Sequence, residues 1–370
     1  MIRKCLFLLG VVFVSLSVAA GPVLEPIVSP VVQETQQSRE FFAAARVSYG
    51  LPEYADYRTS LVTNIDLSHA QSNDVPSGVS FVWSGSTKAP FVLEISDRND
   101  FRGTDTRKER VDGMRTTLFN FRADTKYWWR VTDACGSCSK TETFTTAYGI
   151  RQIRAGQLRN VRDIGGWTGL RQGLVYRGSA WRFETSKGEV GPSDETIKVY
   201  RDTLHIRTDL DLRANALPLK NGDVDVTRYG AQRIVCGVSS VTGDLFGISR
   251  NYARPLRVLT DPKNFPVYIH CAGGADRTGA VVFLIEALCG VSDVDKAIDF
   301  EETSHAVIFN MRYRSNRTNE KTFQYALAVD EFMKYEGATL NEKVAQYART
   351  TLGLTDDEIN AIRDNLKRRE

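Results

Sequence analysis

The decapeptide HCAGGADRTG, residues 270–279, follows the apolar run Pro266-Val267-Tyr268-Ile269 and precedes AVVFLIEALCG, residues 280–290. A short apolar run, a glycine-rich segment and a longer apolar run predict a strand, a loop and a helix in that order. The start of a helix presents unpaired backbone N–H groups and a partial positive charge, both of which suit an anion. A thiol placed there ionises more readily than its reference pKa of roughly 8.5 would allow. Arg277 follows Cys271 after five intervening residues. That is enough chain to wrap one tetrahedral oxyanion, with the guanidinium closing the ring through paired hydrogen bonds. Gly273, Gly274 and Gly279 supply the backbone freedom and close approach that such a cradle needs. The competing reading is a buried structural cysteine ahead of an ordinary helix. Against it stands the register of His270, Cys271, Gly274, Arg277, Thr278 and Gly279 between a strand and a helix.

This pattern resembles the Cys-x5-Arg-Thr-Gly signature of the protein tyrosine and dual-specificity phosphatases. The likeness continues along the chain. LRNVRDIGGWTG, residues 158–169, is similar to the Asn-Phe-Arg-Asp-Leu-Gly-Gly element of the bacterial tyrosine/lipid phosphatase family of dual-specificity type. VYRGSA (175–180), TDLDLR (208–213), AIDFEETS (297–304) and TLGLTDDEINAIRDNL (351–366) resemble further elements of that family, in the same order over roughly residues 150–370. The resemblance implies an α/β cysteine-phosphatase domain with a central sheet, flanking helices and a helical C-terminal half. It implies that Cys271 attacks phosphorus as a thiolate and forms a phosphocysteine. The backbone of Ala272, Gly273, Gly274, Ala275, Asp276 and Arg277, with the Arg277 side chain, then holds the phosphoryl oxygens. Thr278 supports the departing thiolate, and His270 and Gly279 order the loop. No metal or cofactor is expected.

The leaving oxygen needs a proton, so a general acid is required. Asp276, inside the loop, is the first candidate and Asp211, at the end of a predicted strand, the second, with Asp209 and Asp244 behind them. Asp276 has an alternative reading as the ion-pair partner of Arg177 or Arg162. Ala275 stands where lipid-phosphatase relatives often carry lysine, which weakens the expected grip on multiply phosphorylated head groups.

The chain has 370 residues and a formal net charge of +3, enough for two or three domains and with no basic footprint for nucleic acid. Arg3 and Lys4, the apolar stretch from Cys5 and the ending Val18-Ala19-Ala20 have the three-part layout of a secretory signal peptide over residues 1–20. A membrane anchor is the rival reading, but the stretch is short of the ~20 apolar residues a span requires. Export to a secreted or periplasmic location is therefore the expectation. In that setting Cys135 and Cys138, in CGSC, are expected to form a local disulfide, while Cys236 and Cys289 look unpaired.

Residues 21–54 contain Pro and Gln without a clean period and read as a tether, with a short helix at SREFFAAARV. Residues 55–147 hold short β-type runs such as VSFVWSG and KYWWRVTD, separated by turn clusters, which predict an all-β sandwich. Phe121, Ala123, Thr125 and Tyr127 resemble the tyrosine-corner stretch of fibronectin type III domains. Trp83, Trp128 and Trp129 read either as core or as a glycan- or partner-binding surface. From residue 150 strands alternate with helices, and Thr339-x-x-Glu342 and Thr355-x-x-Glu358 are capping boxes.

The combined expectation is an exported cysteine-dependent phosphatase acting on phosphotyrosine, phosphoserine, lipid or inositol phosphate monoesters. The alternative is a catalytically weak module that captures phosphorylated ligands while the sandwich mediates adhesion or partner binding.

Overall fold

A computed structural model describes residues 21–54, 56–59, 75–85, 87–181, 184–185, 188–189, 191–213, 223–238, 250–305 and 325–368. The expected signal peptide, residues 1–20, and Asp244 lie outside the described residues. Two compact units emerge. One contains the described residues through Val28, Ser80–Thr117 and Lys126–Phe144; the other contains Ser29–Val79, Leu118–Thr125 and the chain from Thr145.

The first unit is built from β1 (Val23–Leu24), β2 (Val79–Ser84), β3 (Phe91–Ser96), β4 (Arg107–Val111), β5 (Arg115–Leu118), β6 (Lys126–Thr132) and β7 (Glu142–Thr145). They form two sheets, ordered β1-β2-β5 and β4-β3-β6-β7. Alternation sets the inner faces: β2 buries Val79, Phe81 and Trp83, and β6 buries Tyr127, Trp129 and Val131. Rings from the two sheets meet edge-on, Phe81 against Trp129 at 5.1 Å and Trp83 against Phe91 at 5.4 Å, which makes this a sandwich. Trp83 and Trp129 are therefore core, and only Trp128 stays partly exposed, with Lys126 Nζ 5.1 Å above its ring. The expected disulfide is absent, because Cys135 and Cys138 are both free and exposed. Asp133 closes that turn instead: its Oδ1 accepts from the N–H groups of Cys135 and Ser137 at 2.9 and 2.8 Å.

The second unit opens with α1 (Gln36–Ser48), capped by Thr35, whose side chain accepts from the Ser38 N–H. The segment expected as a tether is thus part of a folded core. Phe41, Phe42, Ala45 and Tyr49 recur at helical spacing and are all buried, and fully burying a phenylalanine contributes about 1.5–3 kcal/mol. Polar contacts fix the helix to its neighbours: Ser38 Oγ donates to Glu302 at 2.7 Å, Tyr49 donates to Glu301, and Arg46 pairs with Asp295.

The remaining strands are β8 (Arg162–Asp163), β9 (Val175–Gly178), the short hairpin β10 (Glu184–Thr185) and β11 (Gly188–Glu189), β12 (Thr208–Asp211), β13 (Gln232–Val235) and β14 (Val267–His270). The main sheet runs β13-β12-β14-β9-β8, with the β13-β12, β12-β14 and β14-β9 pairs parallel and β8 antiparallel. Every residue of β9, β12 and β14 is buried, as expected for strands covered on both faces. Around the sheet lie α2 (Asp194–Lys198), α3 (Ala253–Val258), α4 (Asp276–Leu288), α5 (Asp293–Glu302), α6 (Tyr325–Phe332), α7 (Leu340–Thr350) and α8 (Asp356–Leu366). α4 is buried on nearly all sides, and Gly290 beyond its end takes φ +81°, the left-handed conformation that stops a helix. Both capping boxes are formed. The architecture is the expected one: an all-β sandwich, then an α/β region with a helical C-terminal half.

Candidate active site

Register brings the site together. His270 lies opposite Asp211 on one side and Gly178 on the other, so β9, β12 and β14 end level. The loop after β14 leaves from their C-terminal edge, where parallel sheets form their binding crevices. It then enters α4, whose first turn begins at Asp276 and closes when Gly279 N–H donates to Ala275 O at 2.8 Å.

Each carbonyl from Cys271 to Ala275 has a partner outside the loop. Cys271 O faces His270 Nδ1 at 3.2 Å, and Ala272 O accepts from Ala180 N–H at 3.1 Å. Gly273 O and Gly274 O accept from Asn160 Nδ2 at 3.3 and 3.1 Å. Gly274 O and Ala275 O accept from Arg177 Nη2 at 2.7 and 3.4 Å. With the carbonyls drawn outward, the amides are left for an anion. Among the described residues the N–H groups of Ala272, Gly273, Ala275 and Arg277 meet no protein acceptor, and those of Gly274 and Thr278 turn to the Cys271 sulfur. Gly274 has φ +70°, and a Cβ there would lie 2.4 Å from Gly178 O, so glycine is required.

The Cys271 thiol is tuned by the same loop. Burial pushes the Cys271 thiol up, but the Thr278 hydroxyl, the Arg277 charge and the N–H groups of Thr278 and Gly274 outweigh it. The thiol is thus held below its usual range. The Thr278 hydroxyl is buried without an oxygen or nitrogen partner, which leaves it for the sulfur. Arg277 is half-buried and donates to no group among the described residues, so its guanidinium is available to a phosphoryl group.

Behind the loop sits a buried ion network. Asp299 on α5 receives Arg162 Nε at 2.9 Å on one oxygen and Arg177 on the other. Burial and the neighbouring Arg162 push Arg177 down to about 10, so it stays a cation at neutral pH. Glu286 on α4 is held well above the carboxylate range by burial and then by Asp299. Arg162 and Arg177 thus converge on one carboxylate behind the loop.

Asp211 meets two arginines at the end of β12. It is fully buried, with Arg213 Nε on Oδ1 at 2.9 Å and Arg213 and Arg233 on Oδ2, each at 2.8 Å. Burial alone would raise its pKa, but Arg213, His270 and Arg233 hold it well below the usual carboxylate range. Both of its oxygens are thus taken up by ion pairs with Arg213 and Arg233. Asp209, also buried, accepts from His270 Nε2 at 2.8 Å and from the Tyr200 hydroxyl at 2.9 Å. Asp276 is half-buried at the first position of α4. Among the described residues it makes no ion pair with Arg162 or Arg177, which bond Asp299, Asn160, Thr303 and the loop carbonyls.

His270 lies between Cys271 O and Asp209. Burial would lower its pKa, but Asp209 and then Asp211 raise it to about 9 from 6.5. A histidine raised on folding contributes stability that is complete below its unfolded pKa and is lost as pH rises through its folded one. Between pH 6.5 and 9 the wild type should lose up to roughly 3 kcal/mol from this residue. Urea unfolding of His270→Gln should show a flatter profile across that window; a profile parallel to wild type would refute the assignment.

Asn160 and Asp299 had not been singled out in the sequence. Asn160 opens the element resembling Asn-Phe-Arg-Asp-Leu-Gly-Gly, so the signal was the motif itself, without a role attached. No curated protein matches the chain. Solved structures similar to it include the core catalytic domain of the PP-IP phosphatase SIW14 from S. cerevisiae in complex with citrate, at 16% identity, 50% of this chain, 88% of that chain and TM-score 0.28. A second Siw14 catalytic core gives 16% identity over 50% and 88%, with TM-score 0.29. PTPMT1 in complex with PI(5)P gives 10% identity over 48% and 96%, with TM-score 0.30. Residues 238–368, which contain β14, the loop from Cys271 to Arg277 and helices α3 to α8, match the model of the tyrosine phosphatase family.

Proposed function

We propose that this chain is an exported, metal-independent phosphatase that hydrolyses phosphate monoesters through a phosphocysteine at Cys271. The observation that carries the reading is the direction of the loop peptides: carbonyls from Cys271 to Ala275 tied outward, amides left inward around a thiol held below its usual range. In the first step Cys271 Sγ attacks phosphorus, the bond to the leaving oxygen breaks, and Asp276 gives that oxygen its proton. The loop amides and Arg277 stabilise the equatorial oxygens. In the second step water attacks phosphorus, the S–P bond breaks, and the water proton passes to Asp276. Thr278 hydrogen-bonds the thiolate as it departs.

The substrates are monoesters of the phosphotyrosine, phosphoserine, lipid or inositol type. Ala275 puts no cation at the loop mouth, which favours singly phosphorylated groups over clustered ones. The sandwich is read as a fibronectin type III-like module that places the enzyme against a protein or glycan partner.

Purified protein assayed on nitrophenyl phosphate and on a panel of these esters tests the reading. Hydrolysis should be insensitive to chelator and inhibited by vanadate, which mimics the five-coordinate transition state. A protein that binds vanadate yet turns over none of the panel would be a ligand-capturing module instead.

A further inference from the structure

The loop keeps its shape because something outside it fixes five consecutive peptides. Gly273 O has one donor among the described residues, Asn160 Nδ2 at 3.3 Å. The same NH2 group reaches Gly274 O at 3.1 Å. An amide side chain can present either its oxygen or its nitrogen, so the direction of Asn160 must itself be set. Arg162 sets it: Nη1 donates to Asn160 Oδ1 at 2.5 Å, which turns the NH2 group toward the loop. Arg162 is in turn locked by Asp299, with Nε on Oδ1 at 2.9 Å and Nη2 on the backbone oxygen at 2.6 Å. Asp299 directs Arg177, the other donor to Gly274 O, through its second oxygen. Asn160 has φ +54°, a left-handed conformation that asparagine tolerates better than most residues.

We propose that Asn160 is a positioning residue, oriented by Arg162 and Asp299, that keeps the Gly273 and Gly274 peptides with their oxygens out and their amides toward the phosphoryl group. The proposal rests on the phosphatase reading above. Two amides in a loop without side chains rotate at little cost once untied. A flipped peptide would turn a carbonyl oxygen toward the phosphoryl group and remove one of the amides that hold the Cys271 thiolate.

Asn160→Asp separates this role from a packing role. The carboxylate keeps the size of the side chain and keeps an acceptor for Arg162, but it faces two carbonyl oxygens with no proton to offer. Three measurements on the full chain are needed: the pH profile of Cys271 alkylation by iodoacetate, vanadate affinity, and kcat/KM on nitrophenyl phosphate. Asn160→Asp should raise the pH at which Cys271 alkylates, weaken vanadate at least about tenfold and lower kcat/KM roughly 10²-fold, the scale of a small misplacement in an active site. Circular dichroism should be unchanged. If Asn160→Asp does not fold, Asn160→Ala, which deletes the donor without repulsion, should give the same three changes at smaller size. Wild-type alkylation and vanadate affinity in a folded variant would overturn the proposal. A wild-type Cys271 that alkylates like free cysteine and binds no vanadate would instead overturn the phosphatase reading, and this inference with it.

Discussion

Replacing Cys271 with serine is expected to abolish hydrolysis of every substrate, by at least about 10⁴-fold, while the protein still binds phosphate and vanadate. The two effects separate because they come from different atoms. Turnover needs a thiolate, and a serine hydroxyl is far less acidic than a thiol; His270 is bonded to Asp209, and Asp211 is capped by two arginines. Removing a nucleophile that acts with its surroundings as a unit typically removes nearly all of the acceleration. On the proposed reading, oxyanion binding belongs to the loop amides and Arg277, which the substitution leaves alone. The serine variant also relieves repulsion between the thiolate and a bound anion, so its vanadate affinity should equal or exceed that of wild type. Loss of both properties together would mean a collapsed loop, and retained turnover would mean another nucleophile.

The second large effect concerns proton transfer. Asp276→Asn should slow hydrolysis of alkyl phosphates by roughly 10²–10⁴-fold, the usual contribution of a general acid, and that of nitrophenyl phosphate far less. Nitrophenolate departs easily as an anion, whereas an alkoxide does not. Asn keeps the shape of the first residue of α4, so loop geometry should survive. Asp211→Asn makes the contrast: it strips charge from a carboxylate bonded to Arg213 and Arg233, so it should lower stability and slow both substrates alike. Equal losses on the two substrates in Asp276→Asn would remove it as the acid.

Local chemistry explains what could be read in advance. The strand, loop and helix around Cys271 lie within one continuous stretch, and their composition announces them. The capping boxes at Thr339 and Thr355 are likewise local, and both form. What escaped notice depends on distance along the chain. Asn160 meets Gly273 across 113 residues and Arg162 meets Asp299 across 137, and no spacing rule links them. Asp211 looks catalytic in the sequence because it is a carboxylate at a strand end. Arg213, two residues on, was the nearby sign of an ion pair, but Arg233 and His270 became neighbours only through sheet register. The helix at Gln36–Ser48 was expected only as a short element of a tether, because an alanine-rich stretch in a Pro- and Gln-containing segment gives a weak period. Its burial came from α5, far away in sequence. In the CGSC turn Asp133 accepts from two backbone N–H groups, and both cysteines are free.

The claim on which all else depends is that Cys271 carries the phosphoryl group between the two steps. Wild-type protein mixed with nitrophenyl phosphate and quenched in acid within the first turnovers should yield one peptide bearing a phosphoryl group, on Cys271. Asp276→Asn should accumulate more of it, because water activation in the second step needs the same carboxylate. Turnover at the full rate with no phosphoryl group on Cys271 at any time would contradict the account.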